Sequence, residues 1–163
     1  MTSITAEQAW SILDRVPDPE IPVVSVTELG IVRDVRAQAG EVDVVVTPTY
    51  SGCPATEAIE HSIRVALTAA GAAAVRVTTQ LAPAWTTDWI EPSAQEKLRA
   101  YGIAPPGARP ADESQPLRFV PRVACPRCGS AETERLSQFG ATACKALYRC
   151  RSCREPFEYF KPL

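Results

Sequence analysis

No apolar run in the sequence approaches the roughly 20 residues that cross a bilayer. The first residues, MTSITAEQAW, lack the basic region and apolar core of a signal peptide. The expectation is therefore a cytoplasmic protein with no membrane partner. No stretch of five or six like charges occurs, so no disordered charged arm is implied. There is no GxGxxG, no P-loop and no Ser/His/Asp elbow. The chain has one histidine, His61, so a catalytic Cys–His pair would have to be Cys53–His61. Those residues lie about 12 Å apart along a helix at 1.5 Å per residue, too far for direct contact.

Charge is present but unevenly spread. Residues 1–120 hold nine basic and fifteen acidic side chains, a net −6, and residues 121–163 hold eight and four, a net +4. The acidic body repels nucleic acid at long range and the tail is only mildly basic, so nucleic-acid binding is disfavoured. The six cysteines are expected to be reduced in the cytoplasm, which points to metal or thiol chemistry rather than disulfides.

The organisation reads as a small α/β (α+β) domain with an appendage. Thr5-Ala6-Glu7-Gln8 is a capping box, followed by Ala9, Trp10, Leu13 and Val16 at helical spacing. Pro17, Pro19 and Pro22 end that helix. Two strands follow around an Ala39-Gly40 turn. In the first, Ile31, Val35 and Ala37 face one way and Val32, Asp34 and Arg36 the other; in the second, Val42, Val44 and Val46 share a face. Pro54 opens a second helix carrying Ile59, Ile63, Leu67 and Ala70, and Gly71 ends it. A third strand spans Val75 to Leu81. Ser93-Ala94-Gln95-Glu96 predicts another capping box, with Gly102 as its helix stop. Trp85 and Trp89 are expected to cover the sheet or an interface, with core packing the favoured reading for each. The boundaries are a domain over 1–103, a Pro-rich linker over 104–120 and a cysteine module over 121–163.

That module carries the strongest chemical signal, Cys125-x2-Cys128-x21-Cys150-x2-Cys153. Two short turns each present two thiolates to one tetrahedral ion, and a small hairpin fits between them. A fragment this small has too little core to fold alone, and bound zinc would supply the missing free energy. Four filled positions make the zinc structural. The ribbon's Arg149, Arg151, Arg154, Phe157, Tyr159 and Phe160 offer a docking face if they lie outside. Cys144 is left over, either as a fifth thiol with a redox or metal-transfer role or as a small buried side chain, and Lys145 would favour its thiolate only if both were exposed.

Cys53 stands apart from the others, in TPTYSGCPATEAI. If Pro54 begins the helix, Cys53 is its N-cap, where the helix dipole and free N–H groups favour a thiolate. Glu57 and His61 are four residues apart near that end of the helix; they either form an ordinary surface pair or help a ligand at Cys53. Asp18 and Glu20 flank Pro19, with Glu28 nearby; they either help hold a hard ion or serve the turn.

DPEIPVVSVTELGIV followed by TPTYSGCPATEAI, over residues 5–82, resembles the iron–sulfur cluster assembly family that includes SufT-like proteins. PAWTTDWI, LRAYGIAPP, CPRCGS, FGATACKALYRC and EPFEYFK extend the resemblance to the PaaD (PaaJ) subfamily, accessory subunits of the phenylacetyl-CoA epoxidase of aerobic phenylacetate degradation. The resemblance implies a two-layer helix–strand–strand–helix–strand domain of the iron–sulfur assembly type and a C-terminal zinc ribbon. It also implies a role in delivering or inserting iron or an iron–sulfur cluster into the di-iron oxygenase or its reductase, not in oxygenation itself. Cys53 matches the family's functional cysteine, Asp18 and Glu20 its acidic motif, and Cys125, Cys128, Cys150 and Cys153 the ribbon ligands. A single thiol cannot hold a cluster, which typically needs four protein ligands. A symmetric homodimer pairing two Cys53 residues, or thiols of a partner, would complete a transient site. The alternative is a scaffold that joins oxygenase to reductase and carries no cargo.

Overall fold

The computed structural model describes residues 4–107 and 122–163, which fall into two units divided between Ala94 and Gln95. In the first unit, helix α1 (Ala6–Leu13) starts as expected: Thr5 accepts from the Gln8 N–H, and the Gln8 side chain returns a bond to Thr5. Strand β1 (Val32–Gln38) pairs antiparallel with β2 (Glu41–Val46) across a turn in which Ala39 and Gly40 both take left-handed angles, φ 52° and 85°. This is the twist that a two-residue hairpin demands. Helix α2 (Ala55–Ala69) crosses back to β3 (Ala74–Thr79), which runs parallel to β2, giving the sheet order β1-β2-β3. Val42, Val44 and Val46 are buried, as are Ile59, Ile63 and Leu67 of α2. The alternating strand face and the 3.6-residue helix face thus supply the two sides of the core.

The structure departs from the sequence pattern at several points. Val32 was expected opposite Val35, yet both are buried. A register shift between Val32 and Asp34 inserts one residue into β1 and turns Val32 back to the core side. Strand β3 stops at Thr79, and Leu81 beyond it is exposed, as is Ala70 at the end of α2. Helix α3 (Pro92–Tyr101) begins at its proline rather than after Ser93. Ser93 makes no box there; its hydroxyl donates to the Glu28 carboxylate at 3.4 Å. Trp85 is buried, as expected, with its indole N–H on the Leu29 carbonyl at 2.9 Å. Trp89 is only half-buried, and the Arg33 guanidinium lies 3.5 Å from its ring centre.

In the second unit, β4 (Ile103–Ala104), β5 (Thr133–Ser137), β6 (Lys145–Cys150) and β7 (Pro156–Phe160) form one sheet in the order β4-β7-β6-β5. Ala104, expected to open the linker, pairs with Tyr159 in parallel register. Gly102 ends α3, but the backbone beyond it finds a free edge of β7 instead of leaving the unit. The rest of the expected linker from residue 108 onward, and residue 121, lie outside the described residues. Tyr148 packs against Phe157 and edge-on against Tyr159, with ring centres 5.8 and 5.5 Å apart.

The aromatic docking face is not formed. Phe157, Tyr159 and Phe160 are core residues, and Arg149 and Arg151 both bind Glu134. Those two guanidiniums hold the Glu134 carboxyl below its usual range, Arg151 through the larger hydrogen-bond effect. A unit with so few residues must turn its large rings inward to have a core at all.

Candidate functional site

Two matched turns build the metal centre. In the first, the Cys125 N–H donates to the Ser130 carbonyl at 2.9 Å, and Gly129 after the second cysteine sits at φ 75°. In the other, the Cys150 N–H donates to the Glu155 carbonyl at 3.0 Å, and Arg154 after the second cysteine sits at φ 65°. The Ser130 and Ser152 hydroxyls meet at 2.8 Å and tie the turns together.

All four sulfurs lie within 4.8 Å of one another, with Cys125–Cys153 at 3.8 Å and Cys128–Cys150 at 3.5 Å. Tetrahedral zinc with bonds near 2.3 Å requires sulfur–sulfur edges of about 3.8 Å. The donor set and spacing therefore fit zinc, which Cys125, Cys128, Cys150 and Cys153 would hold with no position open to substrate. In the thiol form, the Cys153 N–H, then the Ser152 N–H and the Cys128 thiol, bring Cys150 down to about 6. Cys153 is pushed up to about 12: the Glu155 N–H lowers it, but burial and the neighbouring thiols together outweigh that.

Cys53 occupies the turn between β2 and α2 and is half-buried. Gly52 before it takes φ 80°, and the Cys53 N–H donates to the Tyr50 carbonyl at 3.2 Å. The expected N-cap position falls instead to Pro54, which is already helical at φ −67° and ψ −20°. Cys53 contributes its carbonyl to the first turn, accepting from the Thr56 N–H at 3.2 Å, and its thiol makes no cap. Glu57 and His61 are exposed on α2 without an ion pair between them among the described residues.

The acidic motif has a definite local task. Asp18 is 6% exposed, and its Oδ1 accepts from the backbone N–H groups of Glu20 at 2.9 Å and Ile21 at 2.8 Å. It closes the turn that the prolines begin. Glu20 is half-buried in that turn. Among the described residues the ribbon cysteines are the only group of three or more candidate ligands, so Asp18, Glu20 and Cys53 do not form another. Cys144 lies outside the metal group and is buried, with its sulfur 3.0 Å from the Thr142 hydroxyl. Lys145 beside it is buried too, bound to Glu158 at 2.6 Å.

Sequence reading missed a polar network behind the acidic motif. Thr27 donates to Asp14 at 2.6 Å and meets the Ser25 hydroxyl at 2.9 Å, while the Glu28 carboxylate accepts from the Ser25 N–H at 3.0 Å. The Ser-x-Thr-Glu run was visible, but nothing in it indicated which hydroxyls would be buried. Thr47, at the start of the Cys53 loop, is 1% exposed, and its Oγ1 has no hydrogen-bond partner.

Residues 6–79 match the family described as iron–sulfur cluster assembly protein, and residues 109–161 match the PaaD zinc beta ribbon domain. The chain is 56% identical to an Escherichia coli protein named as a putative 1,2-phenylacetyl-CoA epoxidase subunit, over 94% of this chain and 91% of that one. It is 33% identical to a Porphyromonas gingivalis Fe-S protein maturation auxiliary factor, over 58% of this chain and 90% of the other. Among solved structures, a conserved hypothetical protein from Thermotoga maritima superposes with a TM-score of 0.52 at 29% identity, covering 60% of this chain and 98% of its own. A domain of unknown function from Bacillus anthracis gives 0.53 at 25% identity, with 57% and 90% covered. Near-complete coverage at 56% identity, with both halves matched in order, means that the chain belongs to the PaaD family, an iron–sulfur-assembly domain followed by a zinc ribbon.

Proposed function

We propose that this protein is an accessory maturation subunit of a phenylacetyl-CoA epoxidase system in aromatic-compound catabolism. In this reading it passes iron or an iron–sulfur cluster to the oxygenase or the reductase through Cys53. The relative named as an epoxidase subunit supports the system, and the relative named as a maturation factor supports the task. The observation that carries the transfer role is the half-exposed Cys53 thiol, which caps nothing and lies in a glycine-opened turn.

One thiol ligates a cluster incompletely. A second copy of the chain, or thiols of the recipient, completes the site for as long as the encounter lasts, and incomplete ligation lets the cargo leave. Asp18 and Glu20 enter this reading as the acidic motif, with Asp18 setting the turn in which Glu20 sits. The ribbon zinc is structural and takes no part in transfer. Six cysteines with no disulfide among them suit a reducing compartment, the cytoplasm. Among the described residues no helix is long and apolar enough to cross a membrane.

The test is metal analysis and visible absorbance of protein purified without oxygen, for wild type and Cys53→Ser in parallel. Both should hold about one zinc per chain, as a closed four-thiolate site requires. Only the wild type should take up iron with charge-transfer absorbance. In cells the variant should leave the epoxidase complex assembled but short of its metal. Zinc alone in both proteins, even after iron and sulfide are supplied, would overturn the transfer role and favour the scaffold.

A further inference from the structure

The second unit holds a cleft of about 360 Å³ that the metal centre and Cys53 do not explain. Its volume falls in the range of small-molecule sites, about 300–1,000 Å³. The walls come from Gln95 and Arg99 of α3, residues 104–107, residues 122–126, Gly129 and Tyr159 of β7. Among the described residues, the charged groups on them are Arg99 and Arg122, and no aspartate or glutamate lines the cleft. Neither guanidinium has a carboxylate partner among the described residues.

The neutral polar lining supplies hydrogen-bond donors to the same space. The Gln95 amide carries N–H groups, and the Tyr159 hydroxyl reaches the wall from a ring that is 4% exposed. The Tyr159 oxygen accepts from the Gly107 N–H, which leaves the phenol proton to be donated elsewhere. Burial pushes that phenol up, so the proton stays on it at neutral pH. The remaining wall is apolar and stiff, with Pro105, Pro106 and Pro126. Rigid walls reduce the ordering cost of binding, and guanidinium groups match the geometry of carboxylate and phosphate oxygens.

We infer that this cleft binds a small organic oxyanion, a carboxylate or phosphate carried on an apolar body, between Arg99 and Arg122 with the Tyr159 hydroxyl as a further donor. The competing role for the two arginines is to balance the metal centre: Cys125 forms part of the wall, and four thiolates around zinc carry a net charge of −2.

Titration of the zinc-loaded, full-length, 15N-labelled protein separates the two roles. Inorganic phosphate and sodium benzoate are the probes, with sodium chloride at equal ionic strength as the control. Saturable shifts are expected at the Gly107 and Gly129 amides and at the Arg99 and Arg122 side-chain nitrogens, absent with chloride. Tighter benzoate binding would identify a carboxylate ligand, and tighter phosphate binding a phosphate. The Arg99→Gln/Arg122→Gln double variant should weaken binding by about tenfold or more, as loss of two charge-assisted contacts requires. Tyr159→Phe keeps the ring packing and should weaken it less. Shifts that never saturate, or that persist in the double variant while its zinc is lost faster, would make the arginines counter-charges of the metal centre and overturn the inference.

Discussion

Gly129 and Arg154 hold the same position in two matched turns, each following the second cysteine of its pair at left-handed φ, 75° and 65°. Glycine adopts this conformation freely, whereas a residue with a Cβ is strained there by roughly 1–2 kcal/mol. Arg154→Gly should therefore stabilise the zinc-loaded ribbon by about 0.5–1 kcal/mol, once the extra entropy of glycine in the unfolded chain is offset. The thermal midpoint of the ribbon transition reports this. A lower midpoint in the variant would mean that the Arg154 side chain contributes more than its backbone costs.

In the second unit a buried Lys145 pairs with Glu158, whose side chain is 25% exposed. Lys145 is 3% exposed, and its Nζ lies 2.6 Å from Glu158 Oε2, while Glu158 Oε1 accepts from the Ala141 N–H at 2.9 Å. Removing the carboxylate leaves the Lys145 ammonium uncompensated in the interior, at a cost of up to about 3 kcal/mol, the low end for a buried pair because Glu158 is part-exposed. Glu158→Gln retains an acceptor for Ala141 but cannot neutralise the ammonium, so it should destabilise the ribbon by that order. Lys145→Met removes the charge with its own stem replaced and should cost much less. Paired denaturation curves of the two variants check the difference; equal losses would show that the hydrogen bonds matter and the charge does not.

Legibility in the sequence tracked the distance between interacting residues. The Thr5–Gln8 box and the Ala39-Gly40 turn were readable because their partners lie within four residues. The zinc ligands were readable because two Cys-x-x-Cys turns have few other uses. Cys53 was placed to within one residue of its position at the head of α2, and the error followed from Pro54 taking the cap itself. The bulge that turns Val32 inward left no local mark. Nor did the pairing of Ile103–Ala104 with β7, which joins residues more than fifty positions apart. Lys145 and Glu158 become neighbours only once the β6–β7 register puts Lys145 opposite Phe160. The two stacked rings of the ribbon, Tyr148 and Phe157, follow the same rule: alternation alone does not say which face is inside.

Gly30 should resist any side chain. It sits at φ 70°, and a Cβ there would lie 2.7 Å from both the Cβ and the carbonyl oxygen of Trp89. Backbone cannot yield as a flexible side-chain tip does, so Gly30→Ala carries both left-handed strain and overpacking. The expected loss is about 2–4 kcal/mol in the first unit. It should be accompanied by increased tryptophan exposure, read by fluorescence and quenching. Unchanged fluorescence with full stability would rule out the close approach.

Thr47 invites the opposite change. Its hydroxyl is buried without a partner, and an unsatisfied buried polar group costs about 1–3 kcal/mol. Thr47→Val keeps the branched shape and removes the polar atom. The first unit should gain about 1 kcal/mol toward urea, with no change in the slope of the transition. A loss of stability instead would mean that the hydroxyl is hydrogen-bonded in solution.

Removal of the metal should divide the chain along the line between its two units. The ribbon core rests on a few rings and on cysteines that are themselves ligands, so without zinc its four thiols offer no cohesion to replace the ion–sulfur bonds. Cys125→Ala takes away one ligand and one buried contact at once. The expected result is loss of zinc, and of hydrogen-exchange protection through β4 to β7. Protection in α1, α2 and β1 to β3 should persist, because the valine and isoleucine core there includes no ligand. Exchange measured by mass spectrometry on the full chain, with and without a chelator for the wild type, follows both regions together. Chelation should reproduce the variant's pattern, and supplying zinc again should restore the wild type but not Cys125→Ala. Collapse of protection in the first unit under the same conditions would make the ribbon a structural support for the iron–sulfur-assembly domain instead of a separately folding appendage.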